Sequence, residues 1–257
     1  MALSVHFLGV GSAGANALGN ASLVLEQAQS PLLLIDCGFT VPSGFEEAYG
    51  RPPPAVFLTH LHLDHAGGLE ALFYRLRFGG HYPLTKLFVP APLIPALQSR
   101  LADYPGQVAE GGSNFWDVFQ LCPVSDRFWL DDLCFRVFPT RHHLPGSAWG
   151  LALPGQFFYS GDTRPIPEQV VAHASQGERI FHDCALTGNP SHTGLEDLLR
   201  EYTDEQRRRM VVYHYHSSRE AAVMRERGLQ VANPGDRFDL SLPGPVRHAP
   251  PSSTPVG

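Results

Sequence analysis

The chain has 257 residues, 43% hydrophobic and 17% charged, with a formal net charge of −6 from 19 Lys+Arg against 25 Asp+Glu. This balance excludes a disordered or fibrous chain and a protein built mainly to hold a phosphate backbone. No run of about 18 apolar residues offers a membrane span, the start Met1-Ala2-Leu3-Ser4-Val5-His6 has no basic segment ahead of a long apolar one, and Cys37, Cys122, Cys134 and Cys184 form no CxxC pair, so a cytoplasmic protein without disulfides or a thiolate zinc site is expected.

Residues 4–9 read as a strand that enters a glycine-rich loop, Val10-Gly11-Ser12-Ala13-Gly14-Ala15. The loop leads to a second strand, residues 20–26, and not to the helix that a dinucleotide-binding turn requires. Residues 31–38 form a buried strand ending in Asp36 and a glycine, and residues 54–60 a second one ending in histidines. A helix over 67–76, a short strand over 87–90 and a helix over 94–102 follow. The second half repeats the theme, with strands at 135–140, 151–153, 157–160, 180–184 and 210–215 and helices at 166–174, 194–202 and 219–227. Arg207-Arg208-Arg209 follows Asp204 and Glu205 and reads as a solvated helix end. Strands alternating with helices predict a layered α/β architecture, sheets inside and helices outside. One domain is expected over 1–240, and the Pro- and Ser-rich stretch 241–257 reads as a disordered tail. Loops around 39–52, 75–86 and 103–120 are expected to shape the pocket, with Phe73, Tyr74, Phe78 and Tyr82 as core aromatics.

The chemistry concentrates in the histidines, of which there are 13. Thr59-His60-Leu61-His62-Leu63-Asp64-His65-Ala66-Gly67-Gly68 contains an H-x-H-x-D-H pattern directly after a buried strand. His60 and His62, two apart at a strand end, project the same way and can grip one metal. Asp64 and His65 sit where the chain turns into a helix and can grip a second. Gly67 and Gly68 let the helix start pack close to the site. His6, His81, His173 and His248 lack ligand-like spacing, and His182 sits within a strand.

The chain resembles the metallo-β-lactamase superfamily over roughly residues 4–235, with candidates for five motifs in order. They are Asp36, the H-x-H-x-D-H run, His142 or His143 before Trp149-Gly150, Asp162 in Tyr159-Ser160-Gly161-Asp162-Thr163, and His214 after Val211-Val212-Tyr213. The resemblance implies a four-layer αββα sandwich and two divalent ions, zinc first, with manganese or iron as alternatives. It implies one ion on His60, His62 and the third-motif histidine, the other on Asp64, His65 and His214, and Asp162 bridging them. Asp36 is expected to accept a hydrogen bond behind the ligands. His142 and His143 are neighbours on a strand end, so one alone can be a ligand, and the likeness of His143-Leu144-Pro145 to an H-[IV]-P segment favours His143. His214 is favoured over His216 because it directly ends the apolar run.

The segments 180–185 and 191–198 resemble the carboxylate-plus-histidine pair of tRNase Z-like phosphodiesterases of the superfamily. The expected catalytic set is Asp64, His192 as general acid and Asp183 as its partner, with Arg164 near the developing charge. The competing reading of 191–196 has Ser191 or Thr193 capping the next helix with Glu196 completing the box. The expected function is a dinuclear metal-dependent phosphodiesterase in which metal-bound hydroxide attacks phosphorus. Its substrate would be a small or nucleotide-type molecule, without stable nucleic-acid binding or membrane association, and the fold is one in which homodimers are common. The alternatives are a lactone or thioester hydrolase at the same site, a non-catalytic metal-binding protein, or di-iron redox chemistry.

Overall fold

The computed structural model describes residues 2–80, 82–103 and 112–240. The tail expected over 241–257, His81 and His248 lie outside the described residues.

The first half of the chain builds one sheet from β1 (Leu3–Gly9), β2 (Ser22–Gln27), β3 (Ser30–Ile35), β4 (Ala55–Phe57), β5 (Thr85–Pro90) and β6 (Phe119–Val124). The second half builds another from β7 (Arg127–Leu130), β8 (Leu133–Pro139), β9 (Trp149–Leu153), β10 (Phe157–Tyr159), β11 (Arg179–Asp183), β12 (Met210–Tyr213) and β13 (Gln230–Val231). The last strand, β14 (Arg237–Leu240), crosses back to pair antiparallel with β1. Each sheet therefore has seven strands, in the orders β14-β1-β2-β3-β4-β5-β6 and β13-β12-β11-β10-β9-β8-β7. The helices are α1 (Val41–Tyr49), α2 (Leu63–Ala66), α3 (Leu69–Phe78), α4 (Ile94–Leu97), α5 (Pro167–His173), α6 (Leu195–Glu201), α7 (Asp204–Arg209) and α8 (Ser218–Glu226).

Alternation along the strands explains the layering. Leu23, Leu25, Leu33 and Ile35 join Phe135, Leu151, Phe158 and Phe181 in a core between the two sheets. The residues between them, Val24 and Leu34, face the other way and pack with Phe45 of α1 and Leu72 and Phe73 of α3. A strand buried on both faces reads as an unbroken apolar run, which is why Leu32-Leu33-Leu34-Ile35 has no polar alternation. The result is the αββα metallo-β-lactamase sandwich, two mixed sheets flanked by helices. Each fully buried Leu, Ile or Phe contributes roughly 1.5–3 kcal/mol.

Both sheets are parallel where they matter. β3, β4 and β5 run parallel, as do β10, β11 and β12. Their carboxyl ends carry Asp36, His60, Asp162, Asp183 and His214, the usual place for chemistry in sheets of this kind.

Some sequence expectations change. Residues 41–49, expected as a pocket loop, form α1, with Pro42 in its first turn, where its missing N–H costs nothing. The helix expected over 94–102 is a short α-helix that continues as a wider turn over Gln98–Ala102. Phe73, Phe115 and Phe119 are core, but Tyr74, Phe78 and Tyr82 are exposed rather than buried. No helix among the described residues is long and apolar enough to cross a membrane.

Candidate metal centre

The site begins with Asp36. It follows β3 in a left-handed conformation, φ 63°, and its carboxylate is fully buried. Its oxygens accept from the Thr59 amide and hydroxyl, both at 2.8 Å, and from His65 Nδ1 at 2.8 Å. The carboxylate is thus spent on holding neighbours, the role expected for it. Burial raises its pKa, and the His65 charge and hydrogen bond oppose that.

The same logic fixes the other imidazoles. Thr59 Oγ1 donates to Asp36 and is left to accept from His60 Nδ1 at 3.0 Å. His142 Nδ1 donates to the Ser191 carbonyl at 2.9 Å. With Nδ1 occupied on His60, His65 and His142, each turns its Nε2 inward. His62 turns Nδ1 inward instead, 3.1 Å from His60 Nε2 and 3.2 Å from His142 Nε2.

Three overlapping donor groups result among the described residues: His60, His62, His142 and Asp162; Asp64, His65, Asp162 and His214; and Asp162, Asp183, His192 and His214, the last sharing two members with the second. Asp162 belongs to all three. Its Oδ2 lies 3.7 Å from His60 Nε2, 3.3 Å from His65 Nε2 and 3.4 Å from His214 Nε2. Such separations suit donors converging on ions with bonds of about 2.0–2.2 Å. The buried atoms His65 Nε2, His214 Nε2 and Asp162 Oδ1 have no hydrogen-bond partner. Unpartnered buried nitrogen and oxygen donors aimed at common points are the chemistry of a divalent-cation site, and the residues fit two ions.

The electrostatics agree. Burial holds the His60 imidazole well below its ordinary pKa and His142 down to about 4, so both are neutral ligands in waiting. Burial resists ionisation of Asp162, but His214 and His65 outweigh it and hold the carboxyl well below the usual range. Burial also opposes charge on His214, yet Asp162, Asp183 and Asp64 raise it to about 10. Protons on the histidines thus balance the carboxylates, a place that cations can take.

The geometry corrects one expectation. His142, not His143, completes the first group. After Thr140, still bonded to Ala148, the chain enters a turn closed by Ser147, and His143 takes a left-handed conformation, φ 50°. That twist carries its imidazole out to solvent. His214 lies in the second group, whereas His216 is exposed beside Ser12 Oγ at 3.1 Å. Arg164 is exposed, with Nε 3.5 Å from the Arg141 carbonyl, and joins no donor group.

His192 stands beside the cluster. Its Nδ1 lies 2.8 Å from Asp183 Oδ2 and its ring stacks on His214 at 5.0 Å. Burial disfavours its charged form, but the Asp183 hydrogen bond and charge outweigh that and raise its pKa. The other Asp183 oxygen lies 3.4 Å from His214 Nδ1, so one carboxylate steadies both rings. The capping alternative fails in detail: Gly194, which has no capping side chain, is the N-cap of α6, its amide donates to Asp197 Oδ2 at 3.1 Å, and Thr193 Oγ1 donates to the Thr163 carbonyl. The remaining described histidines are structural. His6 pairs with Tyr49, His173 stacks on Phe138, and His182 bonds Tyr202.

Close backbone approach holds the α2 start in place. A Cβ on Gly38 would sit 1.9 Å from the Asp64 carbonyl oxygen, and one on Gly68 would sit 2.2 Å from that of Gly38. Gly38→Ala is therefore expected to cost about 1–3 kcal/mol of stability and to lower metal content by displacing Asp64. Thermal melts with elemental analysis check this, and a variant with wild-type melting and metal would refute it.

The chain is 31% identical over 232 residues to Anti-Pycsar protein Apyc1 of Bacillus phage 010DV004, covering 83% of this chain and 89% of that one. It is 32% identical over 233 residues to the protein of that name from Saccharibacillus brassicae, covering 87% and 94%. Among solved structures, the metallo-β-lactamase fold protein YhfI of Bacillus subtilis superposes with a TM-score of 0.71 at 14% identity, covering 92% of this chain and 99% of that one. A diphosphatase of the PhnP family gives 0.70 at 17% identity, covering 93% and 98%, and human tRNase Z, short form, 0.68 at 16%, covering 93% and 100%. The family description "Anti-Pycsar protein Apyc1" matches residues 3–238, and the chain belongs to that family.

Proposed function

We propose that the chain is a dinuclear metal-dependent hydrolase that cleaves a phosphodiester in a small nucleotide-type molecule. The observation that carries the reading is His192, held by Asp183 at 2.8 Å beside the shared carboxylate Asp162. A positioned acid serves a poor alkoxide leaving group, and a lactone or thioester has less need of one. The fold, shared with proteins named as a diphosphatase and a tRNase Z, favours the same bond class. The net charge of −6 favours a small substrate over a long polyanion.

In this reading His60, His62, His142 and Asp162 hold one divalent ion, and Asp64, His65, His214 and Asp162 the other, zinc being the first choice for such donors. When bound, the pair supplies an activated water and charge stabilisation for phosphoryl oxygens. The chain's own residues do the rest. Asp36 and the Ser191 carbonyl lock the rings of His65 and His142. Asp183 fixes His192 through Nδ1, leaving Nε2 to deliver its proton to the leaving oxygen as the P–O bond breaks. Asp64, expected in the catalytic set, serves on the ligand side.

The test is turnover of bis(p-nitrophenyl) phosphate and of 3′,5′-cyclic mononucleotides by metal-loaded protein, beside a lactone and thioester panel. Hydrolysis confined to that panel would overturn the reading. Removal of metal by chelation is expected to abolish turnover and lower the melting temperature. A thousandfold excess of metal over its Kd is worth about 4 kcal/mol, roughly 8–16 °C for a chain of this size. Unchanged melting after verified metal removal would contradict the assigned site.

A further inference from the structure

We propose that His143 is a substrate-binding residue, its imidazole contacting a non-bridging phosphoryl oxygen at the mouth of the donor cluster. The inference rests on the phosphodiester reading above and adds a residue that the donor groups leave out.

Three observations point to it. Among the described residues, six non-glycines have positive φ, namely Ala28, Gln29, Asp36, Asp131, His143 and His214. Ala28, Gln29 and Asp131 make the tight turns of the β2–β3 and β7–β8 hairpins, where that conformation is the ordinary solution. The other three all lie at the metal centre. Asp36 orients His65, and His214 belongs to a donor group. His143 alone has no such task, and glycine or asparagine would make its conformation with less strain. Strain kept at a site calls for a function.

Its imidazole is placed for one. The ring stands edge-on to His62, with centroids 4.7 Å apart at 79°, and to His142, at 4.2 Å and 64°. It is exposed, and its hydrogen bond is a long one, Nδ1 to Ser191 Oγ at 3.4 Å. The other ring nitrogen is free to meet a ligand. Ser191 precedes His192, so the imidazole stands between the first donor group and the turn that carries the acid. A phosphoryl group spanning those two features would pass it. A neutral imidazole N–H suffices as donor, and the contact needs no change of charge.

The turn itself is stiff. The Ser147 amide and hydroxyl both bond the Leu144 carbonyl, and the hydroxyl also reaches the His142 carbonyl. The backbone that carries the imidazole is therefore set before substrate arrives, which spares binding part of the ordering cost.

The experiment compares wild type with His143→Gly, His143→Ala and His143→Asn. It reads kcat, KM, metal content, melting temperature and the Kd of inorganic phosphate. In the Gly and Ala variants, KM and phosphate Kd are expected to rise about tenfold, the worth of one good hydrogen bond. kcat should stay within about threefold and metal content should be unchanged. His143→Gly should melt no lower than wild type, because the backbone strain is gone, and His143→Asn should recover part of the affinity. KM and phosphate Kd within twofold of wild type in both Gly and Ala would overturn the contact. Loss of metal would overturn it too, by making His143 a ligand. Should wild type hydrolyse no phosphodiester, the functional reading alone fails, and phosphate affinity still decides the role of His143.

Discussion

Asp162→Ala is expected to remove turnover by at least about 10⁴-fold and to strip both metal positions together. The reason is topological. Asp162 is the one residue shared by every donor group, and its carboxylate is 1% exposed. Without it, His65 and His214 lose the charge that their Nε2 atoms face at 3.3 and 3.4 Å. A buried cluster of unbalanced donors is costly, so no single-metal state should survive on the remaining ligands. Elemental analysis of the purified variant, with turnover measured at added metal, decides the matter. A variant that keeps two ions would show that the groups are independent and that Asp162 does not bridge them.

His192→Ala should separate two leaving groups. With an alkoxide leaving group, as in a cyclic nucleotide, kcat should fall by about 10²–10⁴-fold, the range for a positioned acid. With p-nitrophenolate, which departs without a proton, it should fall by less than about tenfold. Metal content should stay intact, because the two groups built on the H-x-H-x-D-H residues keep every donor without His192, and loss of an ion would instead make the third group, Asp162, Asp183, His192 and His214, a metal position. Asp183 raises the pKa of His192 against the effect of burial. The acid form therefore persists above the ordinary imidazole range, and the loss of rate at high pH should change shape in the variant. An equal loss on both substrates would make His192 a structural residue.

Why some of this was legible in the sequence and some was not comes down to distance along the chain. His60, His62, Asp64 and His65 fall within one strand end and the first turn of one helix, so local geometry alone brings them together. Asp162 and His214 were legible because each directly follows a buried apolar strand. The choice between His142 and His143 was not, because it hangs on one backbone angle, set by a turn that Ser147 closes from four residues on. The link from Thr59 to Asp36 spans 23 positions and that from His142 to Ser191 spans 49, beyond any local pattern. α1 was hidden because Pro42 and Gly44 look like loop residues, although the first turn of a helix accepts proline. β14 was hidden because its reason to be a strand is β1, more than two hundred residues away.

The two sheets divide the donors between them. His60, His62, Asp64 and His65 arrive with the first, and His142, Asp162, Asp183 and His214 with the second. Neither half of the chain owns a complete set, so metal occupancy is a gauge of how well the halves are docked. Slack in the aromatic packing between them, such as the stacks of Phe57 and Phe88 on Phe128, would show up as lost ions before any ligand had been touched.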